Sequence, residues 1–320
     1  MPQQTTLVAC MSAPLLISVP NASEGRDDAT IRALAAAFAD DSGHAGEVRL
    51  LDVHTDADHH RSVFTAAGPA AALIDAVMGA ARVAVERIDI VGAADSEPGQ
   101  HPHVGALDVA PVVYLDHARR GAACAHALVL ADRIGQELQV PVFLYGELTA
   151  GAERPPRTRA ELRRGGLEGL RARMEGQGSG GGGLRPDFGP ARLHPTAGAT
   201  LVAARPPLVA FNVQLAAPAD LDRARGVAAD VRESGGHGLP GVRAIGVLLS
   251  GGVAQVSMNV ERPLEVSLAE IVEAVRAHAP VASAELVGLA PAAAMDGFPQ
   301  DVPMPGFDPA RHLIENALGS

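Results

Sequence analysis

The sequence predicts an α/β (α+β) protein of two subdomains, each a mixed sheet with helices packed on one face. Three observations carry that expectation. The first half alternates strand-like and helix-like runs, and the second half orders its elements β-α-β-β-α-β. Between them stands a glycine run, GQGSGGGG, Gly176–Gly183. The six-element order is the split ferredoxin-like pattern. A chain of 320 residues suits two units of about 150 residues, each able to bury a core. The expected division is 1–180 and 181–320.

In order, Leu7–Val19 reads as a strand. Asn21, Ser23 and Glu24 form a turn and cap before an alanine-rich helix, Ala29–Asp40. Val48–Val53 and Ser62–Thr65 read as strands. Pro69–Arg87 is a helix, with Leu73, Ile74, Val77, Ala81 and Val85 on one face. A strand is expected at Ala110–Leu115, a helix from about Ala122 to Leu138, and a strand at Val140–Gly146. An arginine-rich helix, Thr158–Met174, leads into the glycine run, which reads as a linker because no lysine or helix start follows it. The second half gives a strand at Leu208–Leu215, a helix at Asp220–Glu233, and strands at Val242–Leu249 and Val253–Asn259. A helix at Ser267–Ala279 and a strand at Glu285–Leu289 complete the order.

Composition excludes several chemistries. All 26 basic residues are arginines, so a Schiff-base lysine, a P-loop lysine and a Ser-Lys dyad are ruled out. A net charge of −11 argues against nucleic acid as a partner, so any anionic ligand has to be met by locally placed arginines. Two cysteines, Cys10 and Cys124, make no disulfide framework and point to a reducing compartment. The opening run LVACMSAPLLISVP lacks a basic flank and carries two prolines, so it reads as a buried strand and bend. No run approaches the ~18 apolar residues of a membrane span. A soluble cytoplasmic protein is expected.

Histidine and aspartate concentrate in DVHTDADHHR (Asp52–Arg61) and HPHVGALD (His101–Asp108), both just past expected strands, where an α/β sheet places its site. Three readings compete. A metal site would use His101 and His103, perhaps with His59, His60, Asp56 or Asp58; the i,i+2 spacing puts both imidazoles on one side of an extended strand. General acid–base catalysis would use one histidine with a carboxylate fixing its tautomer. The third reading makes DADHHR a solvated turn and His103 a surface residue. PDFGPARLHPTAGAT, Pro186–Thr200, reads as a shaped loop whose exposed backbone N–H groups suit a flat heteroaromatic or a carboxylate.

Together these segments resemble the glutamate formimidoyltransferase, or formiminotransferase, family of folate-dependent enzymes of histidine breakdown. The resemblance is carried by VPNASEGRD (Val19–Asp27), LLDV with DADHHRSVFT (Leu50–Thr65), HPHVGALDV, and VPVFLYGE (Val140–Glu147). RPDFGPARLHPTAGAT, LVAFNVQL and the C-terminal GFDPARHLIENAL extend it in register over essentially the whole length. It implies two α/β subdomains, 1–180 with the catalytic histidine and 181–320, in a homodimer. It also implies tetrahydrofolate as acceptor of a formimidoyl group from N-formimidoyl-glutamate, with no metal. The family's catalytic histidine falls on His101. Its folate-binding loop falls on Gly189, Pro190, Ala191, Arg192, Leu193, His194, Pro195, Thr196, Ala197 and Gly198. Asn21, Glu24, Asp52, Arg61, His103 and Asp108 are the supporting candidates, with Arg61 and Arg192 for the carboxylates of the two substrates.

The chain also departs from the family pattern. His103 and Val104 stand where the family motif has Arg and Met. His54 replaces an Asp, and His60 an Asn. GAADSEPGQ replaces a basic stretch, and Met11–Ser18 holds an insertion. Losing an arginine removes a permanent charge and a bidentate donor, which leaves two alternatives open. One is a folate-binding paralogue with another donor or no turnover, and the other is a metal-dependent amidohydrolase using His101 and His103.

Overall fold

A computed structural model describes residues 15–38, 47–92, 102–151, 155–177, 183–236 and 238–319. Most of the expected Leu7–Val19 strand, the middle of the glycine run, and His101 lie outside these residues. The described part of the opening strand is β1 (Leu15–Ser18), followed after Val19-Pro20 by β2 (Asn21–Ala22). β1 and β2 lie end to end between β4 (Arg61–Pro69) and β5 (Leu107–Val113), antiparallel to both. The break comes opposite Pro111, which has no N–H for a ladder; its carbonyl accepts from Val19 N (3.3 Å) and Ser18 Oγ (2.9 Å). β3 (Arg49–Asp56) flanks β4, and β7 (Thr200–Arg205) runs parallel to both β5 and β6 (Val142–Leu144). The first sheet is therefore mixed.

Alternation along these strands separates two faces. Phe64, Ala66, Ala110 and Val112 pack beneath α1 (Asp28–Ala37), α2 (Ala70–Arg87) and α3 (Arg120–Glu137), in a core with Leu73, Ile74, Met78, Leu130 and Ile134. Val63, Thr65, Val109, Pro111 and Val113 look the other way, into a cleft. The cap of α1 is Asp27, whose carboxylate accepts from Ala29 N (3.0 Å) and Thr30 N (3.2 Å). Glu24 instead accepts from Arg26 N and Asp27 N, while Ser23 Oγ donates to Gly105 O at 2.7 Å. The expected cap residues therefore shape the turn before the helix, and the cap itself comes later.

The arginine-rich helix is two pieces, α4 (Arg159–Arg163) and α5 (Gly166–Met174). Gly165 and Gly166 break it with φ of +76° and +62°, a conformation that glycine adopts without a Cβ clash. A capping box between Thr158 and Glu161 fixes the start of α4. Because β7 belongs to the first sheet, that unit continues through Arg205, beyond a boundary at 180 and 181. The glycine run is thus an excursion within the first unit rather than the joint between the two.

The second unit has β8 (Val209–Leu215), α6 (Leu221–Val231), β9 (Val242–Leu248), β10 (Ala254–Val260), α7 (Leu268–Arg276) and β11 (Val281–Val287). Its sheet order is β11-β8-β10-β9, antiparallel throughout. This is the arrangement that the β-α-β-β-α-β order produces when each helix crosses one face. Phe211, Val213, Val256 and Met258 pack under α6 and α7, and Ala210, Asn212, Ser257, Asn259 and Val287 face the cleft. The C-terminal helices α8 (Pro309–His312) and α9 (Ile314–Gly319) close one side. Ile314 and Ala317 pack against Ile17, Ala67 and Val113 of the first unit and Leu289 of the second. Two sheets thus face each other across a cleft, with helices behind each.

Candidate active site

Two adjoining cavities lie in the cleft, with about 80 and about 60 Å³ of room for bound atoms. They share Asn21, Val63 and Arg159 from the first unit and Ala210, Asn259 and Val287 from the second. One is polar: His54, Asp56, His59, Arg61 and Arg163 line it opposite Asn212 and Ser257. The other is walled by apolar side chains such as Ile17, Val109, Leu208 and Leu289, together with Asn21, Arg159, Arg205 and Asn259. Such a cavity suits a flat, partly apolar molecule carrying anionic ends.

The arginines are organised by Asp108, which is 1 % exposed. Asp108 Oδ1 accepts from Val104 N at 2.9 Å, while Oδ2 pairs with Arg163 Nη2 and lies 3.5 Å from Arg61 Nη2. One carboxylate therefore serves two guanidiniums at the cleft wall. Burial pushes Arg61 down to about 9, with the Arg163 guanidinium adding to the fall and Asp108 opposing it. Burial likewise brings Arg205 to about 10. Both remain cations near neutrality, but desolvated ones that an anion would stabilise. In a chain of net charge −11 such a cluster of arginines suits anionic ligands.

The turn from β3 to β4, Asp56–Arg61, supplies the imidazoles. His59 is buried (6 % exposed), and its Nδ1 lies 2.5 Å from Asp56 Oδ2. Burial raises the Asp56 carboxyl, but bonds from the His59 ring and backbone N–H outweigh it and hold the group below its ordinary value. His60 sits in the left-handed region, φ +50°, and its Nδ1 accepts from Gly25 N at 3.1 Å. That bond requires an unprotonated Nδ1, in keeping with a pKa lowered by burial; Glu24 raises it, while Arg26 and His103 lower it further. Gly25 is obligatory at this contact, because a Cβ there would stand 2.2 Å from Asp56 O and 2.5 Å from Arg61 N.

A prediction follows for His60→Asn. Asparagine tolerates the left-handed region and offers Oδ1 to Gly25 N. Because the folded pKa of His60 is lowered, the unfolded chain binds more protons below pH ~6.5, and stability falls as the pH drops from there to the folded pKa. Asparagine does not titrate. The variant should therefore lose less melting temperature than the wild type between about pH 7.5 and pH 5. Equal losses would show that His60 does not contribute to acid sensitivity.

The other expected site residues divide. Asn21 and Arg61 line the cleft; Asp108 holds the arginines, and Glu24 holds the turn. Asp52 lies on β3 toward the C-terminal helices, its carboxyl raised by burial, with His312, His54 and Arg311 opposing. His103 is half-buried and acts electrostatically on His60. The loop Gly189–Gly198 contributes no residue to the lining of either cavity. It packs beside the segment after His101: Ala106 N donates to Ala197 O (2.9 Å) and Ala199 N to Val104 O (2.9 Å). His194 Nδ1 accepts from Ala197 N at 3.0 Å within that loop, and burial lowers its pKa. His59 pairs with Asp56 while His60 turns to Gly25 N, and among the described residues no three His, Cys, Asp or Glu side chains gather as metal ligands.

Cleft residues absent from the sequence-based candidates are Arg159, Arg163, Arg205, Asn212 and Asn259. Arg159 and Arg163 are i,i+4 on α4, a spacing that puts both on one helix face. Asn212 and Asn259 interrupt apolar strands on one side only, the pattern of a polar wall.

Comparison with known proteins decides the family. The model of the formiminotransferase domain, N-terminal subdomain, matches residues 15–205, and that of the formiminotransferase domain matches residues 210–297. The chain belongs to the formiminotransferase family. Glutamate formimidoyltransferase of Streptococcus pyogenes serotype M1 is 36 % identical over 96 % of this chain and 99 % of its own length. Glutamate formimidoyltransferase of Thermoplasma acidophilum is 33 % identical over 92 % of the chain and 94 % of its own. Formimidoyltransferase-cyclodeaminase of Gallus gallus is 36 % identical over 88 % of the chain, which spans about half (51 %) of that longer protein. The two matched regions meet between Arg205 and Val209, where the first sheet ends and the second begins.

Proposed function

We propose that this family member transfers a formimidoyl group from N-formimidoyl-L-glutamate to the five-position nitrogen of tetrahydrofolate. The products are 5-formimidoyltetrahydrofolate and glutamate, and the enzyme works as a cytoplasmic homodimer. The observation that carries the reading is the cleft itself. It joins a chamber walled by aliphatic side chains, with room for a heteroaromatic ring, to one lined by arginines, histidines and asparagines, fit for carboxylates. The relatives named above supply the reaction class.

The chemistry asks for little besides positioning and proton transfer. Attack by a weakly basic ring nitrogen on the formimidoyl carbon gives a tetrahedral intermediate. The attacking nitrogen must lose a proton, and the departing glutamate nitrogen must gain one. An imidazole suits such transfers near neutral pH, and His101 is proposed as a general acid–base group. Arg61, with Arg159 and Arg163 beside it, would hold substrate carboxylates, while Asn21, Asn212 and Asn259 offer neutral hydrogen bonds. Tetrahydrofolate serves as co-substrate, and no step requires a metal or a covalent nucleophile.

The test is to incubate purified protein with tetrahydrofolate and N-formimidoyl-L-glutamate and follow the folate adduct by its absorbance. Formation of adduct with stoichiometric glutamate is expected. Tetrahydrofolate binding without turnover of this donor, but with turnover of another formimidoyl or formyl donor, would support the paralogue reading. His54 favours keeping that alternative in the assay: it replaces the family's Asp and lies 3.6 Å from Glu285 across the cleft, which changes the charge beside the polar chamber.

A further inference from the structure

We infer that His59, held by Asp56, is a second proton-transferring side chain of the cleft and acts as the base toward the acceptor nitrogen. The inference rests on the proposed transfer reaction and assigns it a group beyond His101. Both residues line the polar chamber, yet His59 is buried and its Nδ1 is 2.5 Å from the Asp56 carboxylate. A carboxylate on Nδ1 fixes the tautomer and stabilises the imidazolium that forms when Nε2 takes a proton. Nε2 is then the nitrogen that exchanges protons with a cavity occupant.

The pair is preorganised from outside the turn. The backbone of Gly25 packs directly on Asp56 and Arg61, and His60 Nδ1 accepts from Gly25 N. His59 N donates to the same carboxylate at 2.9 Å, so the ring and its partner share one rigid loop. The charged and titratable groups around the chamber are His54 and Arg61 from the strands on either side of the turn, Arg159 and Arg163 from α4, and Glu285 across the cleft near His54.

The step balances as follows. The five-position nitrogen of tetrahydrofolate bonds to the formimidoyl carbon and gives its proton to His59 Nε2. The bond from that carbon to the glutamate nitrogen breaks, its electron pair stays on nitrogen, and that nitrogen takes a proton from a second acid, proposed as His101. His59 then returns its proton to solvent, and the acid is recharged from solvent.

The experiment measures kcat and kcat/KM between about pH 5.5 and pH 9 for wild type, His59→Gln and Asp56→Asn, with tetrahydrofolate and N-formimidoyl-L-glutamate. His59→Gln should lower kcat about 10²-fold and abolish the fall in rate on the acid side, with the KM for tetrahydrofolate unchanged. Asp56→Asn should keep that acid limb and move it to lower pH, because the imidazolium loses its partner. A His59→Gln enzyme whose kcat and acid limb match the wild type overturns the inference, as does one changed in KM alone. A wild type that binds tetrahydrofolate but transfers nothing overturns the proposed reaction instead. In that case histidine NMR of the unaltered protein decides: the His59 ring nitrogens must titrate and shift on adding tetrahydrofolate, and rings that do neither overturn the dyad.

Discussion

Replacing Asp108 by asparagine is expected to destabilise the fold by about 3–5 kcal/mol, seen as a fall in the denaturant midpoint at unchanged slope. Asparagine keeps the shape and an oxygen for Val104 N, so the backbone bond at 2.9 Å survives. What disappears is the charge between Arg61 and Arg163, the two guanidiniums that the Asp108 carboxylate faces. The magnitude separates two roles. A lost neutral hydrogen bond costs about 0.5–1.5 kcal/mol, whereas an uncompensated buried charge costs several. A measured loss below about 1.5 kcal/mol would reduce Asp108 to a backbone anchor. The same variant should bind anions at the cleft more tightly if it folds, since the wall then carries one negative charge fewer.

The elements that could be read from the sequence are those whose pattern is local. The Pro69–Arg87 helix appears as Ala70–Arg87, because a regular apolar stripe needs no partner to be recognised. The second unit's six elements appear in the expected order for the same reason. β4 runs to Pro69, well past Thr65, through Ala66, Ala67 and Gly68; these residues have little strand preference and are extended by pairing with β1 and β3. β7 was hidden as a short apolar run between a loop and a Pro-Pro pair. Its place in the first sheet comes from parallel pairing over a long separation in sequence, which no local signal encodes. Missing it also moved the expected boundary from Arg205 back to the glycine run.

The site was legible in part for the same physical reason. Arg61, Asn21 and Asp108 lie within motifs and were found. Arg205 required β7, and Arg159 and Arg163 required the helix break at Gly165, which turns α4 into a separate piece facing the cleft. His59 was visible among several histidines, but its burial and its pairing with Asp56 follow from how Gly25 packs on the turn. Sequence gives residue types and spacing; which of two adjacent imidazoles enters the chamber is fixed by tertiary contact.

Replacing His101 by alanine is expected to lower kcat about 10²–10⁴-fold, the range for losing one well-placed acid or base, while tetrahydrofolate still binds. The fold should tolerate the change, because the residues that follow have anchors of their own. Val104 is fully buried and donates to Asp108. Gly105 O accepts from Ser23 Oγ at 2.7 Å, and Ala106 N donates to Ala197 O at 2.9 Å. The defect should therefore appear in turnover, with a melting temperature close to wild type. If His59 takes the acceptor's proton, the residual activity of His101→Ala should keep its acid limb and lose its alkaline one, the mirror image of His59→Gln. Unchanged kcat would remove His101 from the chemistry. Loss of tetrahydrofolate affinity in parallel with kcat would make it a binding group, since a proton-transfer role leaves ground-state affinity intact.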